Sequence, residues 1–195
     1  MTAQTIGVYT EDTPGERRVA LVPAVVARIR GLGLDVLIER GAGSRTGIAD
    51  EGYTAEGARL GSRQDLFDTA TLLAGVRPPV NPFGHRFRRG QALLCLMQPL
   101  RIPLRIRDWA DQGLTAIALD LLPPTFSTPR PAHAGSEDYA TIVGNLLEHL
   151  VRDGALTIDL TDPLQATMVV THDRHVLNGA VWQRILAEIA IAGLP

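Results

Sequence analysis

The side chains best suited to hold a small molecule are arginines and an amide at the ends of apolar runs. Arg17 and Arg18 close the polar stretch EDTPGERR just before VALVP, Arg77 follows TATLLAGV, and Gln98 follows ALLCLM. A guanidinium presents a planar fork that grips a carboxylate through two parallel N–H bonds. If these runs are parallel strands, the groups at their carboxyl ends converge on one crevice. Arg18, Arg77 and Gln98 would then share a polar pocket; solvated side chains at strand ends are the plainer alternative. Asp120, closing LTAIALD, could face the same crevice or cap the turn that follows it.

Other chemistry is weakly signalled. The glycines of RGAGSRTG run Gly41, Gly43, Gly47. A dinucleotide fingerprint needs Gly-x-Gly-x-x-Gly opening a helix, so that backbone amides face the pyrophosphate. Here the last spacing is one residue too long and Ile48-Ala49-Asp50 intervenes before a helix, so a structural turn is expected and no cofactor. Cys95 lies inside ALLCLM with no base nearby and reads as a small buried hydrophobe. His172 and His175 in THDRH are the closest of the five histidines, but they read as a solvated turn, since a metal pair would need further ligands. There is no nucleophile elbow, no Cys-x-x-Cys and no His-Glu-x-x-His.

The elements that must position these residues alternate. Strands are expected at Thr5 to Thr10, Leu34 to Glu39, Thr69 to Val76, Ala92 to Met97 and Leu114 to Asp120. Helices are expected from Pro23, a favoured first-turn position, in EGYTAEGA, and from Ile102 to a stop at Gly113. Such alternation predicts a three-layer α/β lobe with a mostly parallel sheet flanked by helices, flavodoxin-like or Rossmann-like but without a dinucleotide fingerprint. The proline-rich segment Leu121 to Asp138 reads as an extended connection. After it, YATIVGNLLEHLVRDG reads as a helix ending at Gly154, ALTIDL as a short strand, TMVVTHDRHVLN as a strand entering a turn, and WQRILAEIAIA as an amphipathic helix.

The bulk numbers suit one domain spanning residues 1–195. The 195 residues carry a net charge of −2, with 45% hydrophobic and 21% charged residues. That balance favours neither nucleic acid nor an anionic membrane surface as partner. No apolar run is long enough to span a bilayer, and the amino terminus lacks a signal-peptide pattern. A lone cysteine fits the reducing cytoplasm.

The order of motifs resembles the alanine dehydrogenase and NAD(P) transhydrogenase alpha-subunit family. IGVYTEDTPGERRVALVP followed by LIERGAG and DEGYTAEGA resembles that family's opening. LLAGVRPP, ALLCLMQPL and GLTAIALDLLP resemble its later strand ends, and the likeness runs to about residue 123. NLLEHLVRDGALTIDLTDPLQATMVVTHDRHVL is similar to the segment by which transhydrogenase alpha subunits return to the first lobe. The resemblance implies the substrate-side lobe of that family. Residues 121–138 then stand where the family inserts its NAD-binding Rossmann domain, and 139–195 form the returning segment.

The same resemblance assigns roles. Arg18 matches the arginine that holds the substrate carboxylate, Arg77 stands where alanine dehydrogenases carry a substrate-contacting lysine, and Gln98 stands where they carry a catalytic histidine. Arginine keeps the charge but titrates poorly, and glutamine carries no proton. The expectation is therefore a repurposed lobe that binds a small carboxylate or amino-acid-like molecule, with non-redox chemistry or none. It would not be an NAD-dependent dehydrogenase by itself. Two alternatives stand beside this one: a scaffold or oligomerisation module, since family members oligomerise, and the substrate-side half of a split oxidoreductase.

Overall fold

A computed structural model describes residues 3–80 and 86–192; His85 lies outside them. The first strand, β1 (Thr5–Val8), is followed by a long loop and helix α1 (Pro23–Gly31), whose Pro23 occupies the first turn as expected. Strand β2 (Asp35–Glu39), α2 (Asp50–Ala55), β3 (Arg59–Gly61), α3 (Arg63–Thr69), β4 (Leu72–Ala74) and β5 (Ala92–Cys95) come next. Then α4 (Pro103–Gln112) ends on Gly113, left-handed at φ 78°, and leads into β6 (Thr115–Ala118). The remainder comprises α5 (Ser136–Leu150), the short pair β7 (Val151–Arg152) and β8 (Ala155–Leu156), α6 (Pro163–Met168), β9 (Val169–His172), β10 (His175–Val176) and α7 (Gly179–Ala192).

Eight strands form the main sheet in the order β10-β9-β6-β5-β4-β1-β2-β3. The six from β1 to β6 are parallel, β9 runs antiparallel to β6, and β10 folds back on β9. The parallel part reads 3-2-1-4-5-6, so the chain reverses direction across the sheet between β1 and β4. Ligand crevices of open α/β sheets lie beyond the carboxyl ends of the strands at such a reversal. The register aligns Val8 with Ala74, Ala74 with Leu94, and Leu94 with Ile117, so the loops after β1, β4, β5 and β6 leave the sheet side by side.

Two cores cover the sheet. On one face α1 and α5 bury Val25, Val26, Ile29, Tyr139, Val143 and Leu146; on the other α3, α4 and α7 bury Leu66, Phe67, Ile106, Trp109, Val181 and Ile185. The expected three layers are present, with three refinements. Helix α3 is not signalled by apolar spacing, yet Ser62 and Asp65 form a reciprocal capping box at its start. ALTIDL contributes only Ala155–Leu156, paired with Val151–Arg152 outside the main sheet. TMVVTHDRHVLN is a two-strand hairpin rather than one strand, and it adds an antiparallel edge to the parallel sheet. The connection holds single 3-10 turns at Leu119–Leu121 and Pro131–His133 and packs Leu122 and Ala134 into the first core. Among the described residues no helix is long and apolar enough to cross a membrane.

Candidate ligand-binding crevice at the strand ends

Beyond β1, burial continues at alternate residues. Tyr9 is fully buried and donates its hydroxyl to the Arg77 carbonyl at 2.5 Å. Gly75 permits this, because a Cβ there would stand 2.0 Å from the Tyr9 hydroxyl oxygen. Glu11 is also buried, and its two oxygens accept the amides of Val76 at 2.5 Å and Arg77 at 3.1 Å. Burial pushes the Glu11 carboxyl up to about 7, although the two amides pull the other way.

The loop then turns at Gly15, left-handed at φ 83°, and brings Glu16 back toward the sheet. Glu16 receives Arg18 through both oxygens, Nε at 2.8 Å and Nη2 at 2.6 Å, and Arg77 Nε lies 3.5 Å away. The Arg18 hydrogen bonds hold the Glu16 carboxyl down at about 2. Arg18 Nη1 donates to the carbonyls of Pro131 (3.2 Å) and Ala134 (3.1 Å), and the guanidinium sits 5.7 Å from the Tyr139 ring centre. Arg17 is exposed. Of the adjacent arginines, Arg18 is thus the one turned inward, onto Glu16 and the Pro131 and Ala134 carbonyls.

The structure places all three expected site residues at one end of the sheet but joins only two. Arg18 and Arg77 share Glu16, whereas Gln98 is exposed and takes left-handed backbone angles, φ 50° and ψ 58°. Asp120 accepts the amides of Met97 (2.8 Å) and Gln98 (3.0 Å), which settles its role as a clamp on the end of β5. Residues not singled out from sequence hold the β1 loop in place. Arg45 donates to the carbonyls of Glu11 and Glu16 at 3.0 and 3.2 Å. Arg63 binds Asp12 at 2.5 Å, Glu39 at 3.1 Å and the Thr10 carbonyl at 2.6 Å. The alternating acids and arginines of EDTPGERR are the available signal for Glu11 and Glu16.

The glycine-rich loop follows β2 and forms turns around a 3-10 segment, Ser44–Thr46, while α2 opens only at Asp50. The β1 loop, where this strand order would seat a pyrophosphate on a helix amino terminus, instead carries Glu11, Asp12 and Glu16, and α1 begins only at Pro23. These residues do not fit a dinucleotide. Cys95 is fully buried and burial pushes its thiol up, as a core side chain should behave. His172 contacts the Thr115 hydroxyl at 2.9 Å and His175 is exposed. Among the described residues no group of metal-ligating side chains gathers.

Chemically, the arrangement is an arginine pair closed on a carboxylate supplied by the chain itself. It can hold an anion; neither arginine is suited to proton exchange near neutrality.

Comparison with known proteins agrees with this architecture. Residues 7–130 match the family model described as Alanine dehydrogenase/PNT, N-terminal domain. The chain is similar to an NAD(P) transhydrogenase subunit alpha polypeptide of Rhodospirillum rubrum, 31% identical over 173 residues, covering 85% of this chain and 44% of that protein. It is similar to NAD(P) transhydrogenase subunit alpha of Cereibacter sphaeroides, 35% identical over 119 residues, covering 60% and 23%. It is also similar to alanine dehydrogenase of Methanococcus maripaludis, 35% identical over 116 residues, covering 59% and 31%. Among solved structures, transhydrogenase from Sinorhizobium meliloti superposes with a TM-score of 0.58 at 32% identity, covering 62% of this chain and 35% of that one. The chain spans less than half the length of these curated relatives. With more than half its residues matched, and with the matching sheet, the chain belongs to the alanine dehydrogenase/PNT N-terminal domain family.

Proposed function

We propose that this lobe binds a small carboxylate or amino-acid-like molecule in the crevice between the β1 and β4 loops, without redox chemistry of its own. The observation that carries the reading is the convergence of Arg18 and Arg77 on the Glu16 carboxylate. Two guanidinium groups around one carboxylate are the geometry of a carboxylate receptor. Glu16 is an internal occupant of the position a ligand would take. Arg77 is the less engaged partner and makes first contact; Arg18 completes the grip once Glu16 withdraws. Gln98 lines the entrance.

In the same reading, residues 121–138 replace the NAD-binding domain and 139–195 return to the lobe. Support comes from packing: α5 lies on α1, β9 extends the sheet from β6, and the Pro131 and Ala134 carbonyls close on Arg18. The test is isothermal titration against a panel of small amino and keto acids, with NAD and NADP included. Glu16→Gln should strengthen binding by removing the competing charge, and Arg77→Ala should weaken it by roughly tenfold or more. No heat from any acid, or a clear response to NAD, would sink the reading.

A second reading, a homo-oligomeric scaffold, draws on α7, where Leu186 and Ile191 are 43% and 84% exposed. Light scattering at high concentration tests it; a strict monomer removes it.

A further inference from the structure

At the β9–β10 edge of the sheet, α4, the β9–β10 turn and the start of α7 border an open pocket of about 400 Å³. That volume falls among those of small-molecule sites. Its lining includes Arg107 and Asp111 from α4, Arg174 and His175 from the turn, and Trp182 from α7.

Three observations point to a ligand. First, Arg107 Nε is buried without a hydrogen-bond partner, and the nearest carboxylate oxygen, on Asp108, is 3.9 Å away. Buried donors are paired in folded proteins, and because the rest of the side chain is 31% exposed, an outside acceptor can reach this guanidinium through its terminal nitrogens. Second, the turn between the paired residues His172 and His175 holds Asp173 at φ 45° and Arg174 at φ 68°. Two-residue hairpin turns of this hand favour Asn-Gly or Asp-Gly, and an L side chain in the second position is strained. Strain kept in a structure is a sign of use. Here it sets a guanidinium on the cavity that no hydrogen bond or ion pair among the described residues engages. Third, Trp182 is 43% exposed at the same cavity, an aromatic face open to stacking. Arg107 and Arg174 thus face the cavity beside Asp111, and Arg174 is the cation with no carboxylate in contact among the described residues.

We propose that this cavity binds an aromatic carboxylate, with the carboxylate between Arg107 and Arg174 and the ring against Trp182. The site is independent of the crevice at the strand ends and does not rest on that assignment.

The test uses the full chain, titrated with benzoate while the two tryptophan indole N–H resonances are followed by NMR. Trp109 is 3% exposed and serves as the internal reference. Benzoate should move the Trp182 resonance and leave Trp109 in place. Arg174→Gly suits the turn and folds, and it should weaken binding by about tenfold or more, as should Arg107→Gln. Cyclohexanecarboxylate should bind more weakly than benzoate, and benzyl alcohol should give no response. Wild-type affinity in Arg174→Gly, or a still Trp182 resonance, would overturn the proposal. Tighter binding of phenyl phosphate than of benzoate would overturn the carboxylate assignment. A Trp182 shift produced by raising protein concentration alone would give this face to a second copy of the chain instead.

Discussion

The ends of β4 and β5 are closed by the same device in different surroundings. At β4, Glu11 from the loop after the neighbouring strand β1 accepts the amides of Val76 and Arg77; at β5, Asp120 from the turn after the neighbouring strand β6 accepts those of Met97 and Gln98. Each carboxylate satisfies two main-chain donors that the ladder leaves open. The β4 clamp is buried under Tyr9 and Tyr139, whereas the β5 clamp opens to solvent at Gln98. One crevice edge is thereby rigid and carries Arg77, and the other is accessible and strained. The same hydrogen-bond pattern has different energetic weight because water can replace one clamp and not the other.

The largest effect should come from deleting the buried clamp. Glu11→Ala leaves two amides without acceptors in a dry site, at about 1–3 kcal/mol for each unsatisfied donor. Near pH 4.5, where the buried carboxyl carries no ionisation cost, we expect a loss of about 3 kcal/mol, which for a chain of this size is a fall of roughly 6–12 °C in thermal midpoint. Asp120→Ala should cost only about 1 kcal/mol, since water reaches the Gln98 amide. Equal losses in parallel calorimetric scans would break the comparison.

The second effect is its pH dependence. The Glu11 carboxyl is raised from 4.5 to about 7 in the folded chain. Its contribution to stability is complete below about pH 4.5 and is lost as pH rises toward 7, because the folded state binds the proton more tightly than the unfolded one. A shift of this size corresponds to roughly 3 kcal/mol. Glu16 has the opposite sign: its carboxyl is lowered to about 2, so its contribution is present above pH 4.5 and lost as pH falls toward 2. Urea denaturation across pH should therefore lose its downward slope between 4.5 and 7 in Glu11→Gln, and lose its acid limb in Glu16→Gln. An unchanged slope in Glu11→Gln would remove the buried clamp's special status.

Much of this frame is legible in the sequence, and the reasons for the rest are physical. Arg18, Arg77 and Gln98 can be set at one end of a parallel sheet because each follows an apolar run or precedes a proline-started helix. Gly41, Gly43 and Gly47 can be read as turn residues because their spacing fails to open a helix. The partner of Arg18 is hidden for two reasons. EDTPGERR supplies several acids without saying which one folds back, and the Pro131 and Ala134 contacts are carbonyls, which leave no side-chain signature. Strand β3 is too short to show alternation, and its place is set by pairing with β2. The hairpin β9–β10 is masked because its turn uses Asp173 and Arg174 where glycine would have announced it.

The smallest effect separates strain from clamping at β5. Gln98 sits at φ 50° and ψ 58° and is exposed, so Gln98→Gly removes a left-handed side-chain penalty while keeping the amide that Asp120 accepts. Stability should rise by about 0.5–1 kcal/mol, the usual scale for relieving such a residue. If the strained glutamine is retained because it lines the carboxylate crevice, the same variant should bind small acids more weakly than the wild type while melting higher. Opposite movements of midpoint and affinity would mark the β5 end as the adaptable edge of the crevice. A rise in midpoint with unchanged affinity would leave the β4 edge, with Arg77 fixed by Glu11, as the sole determinant on this side of the sheet.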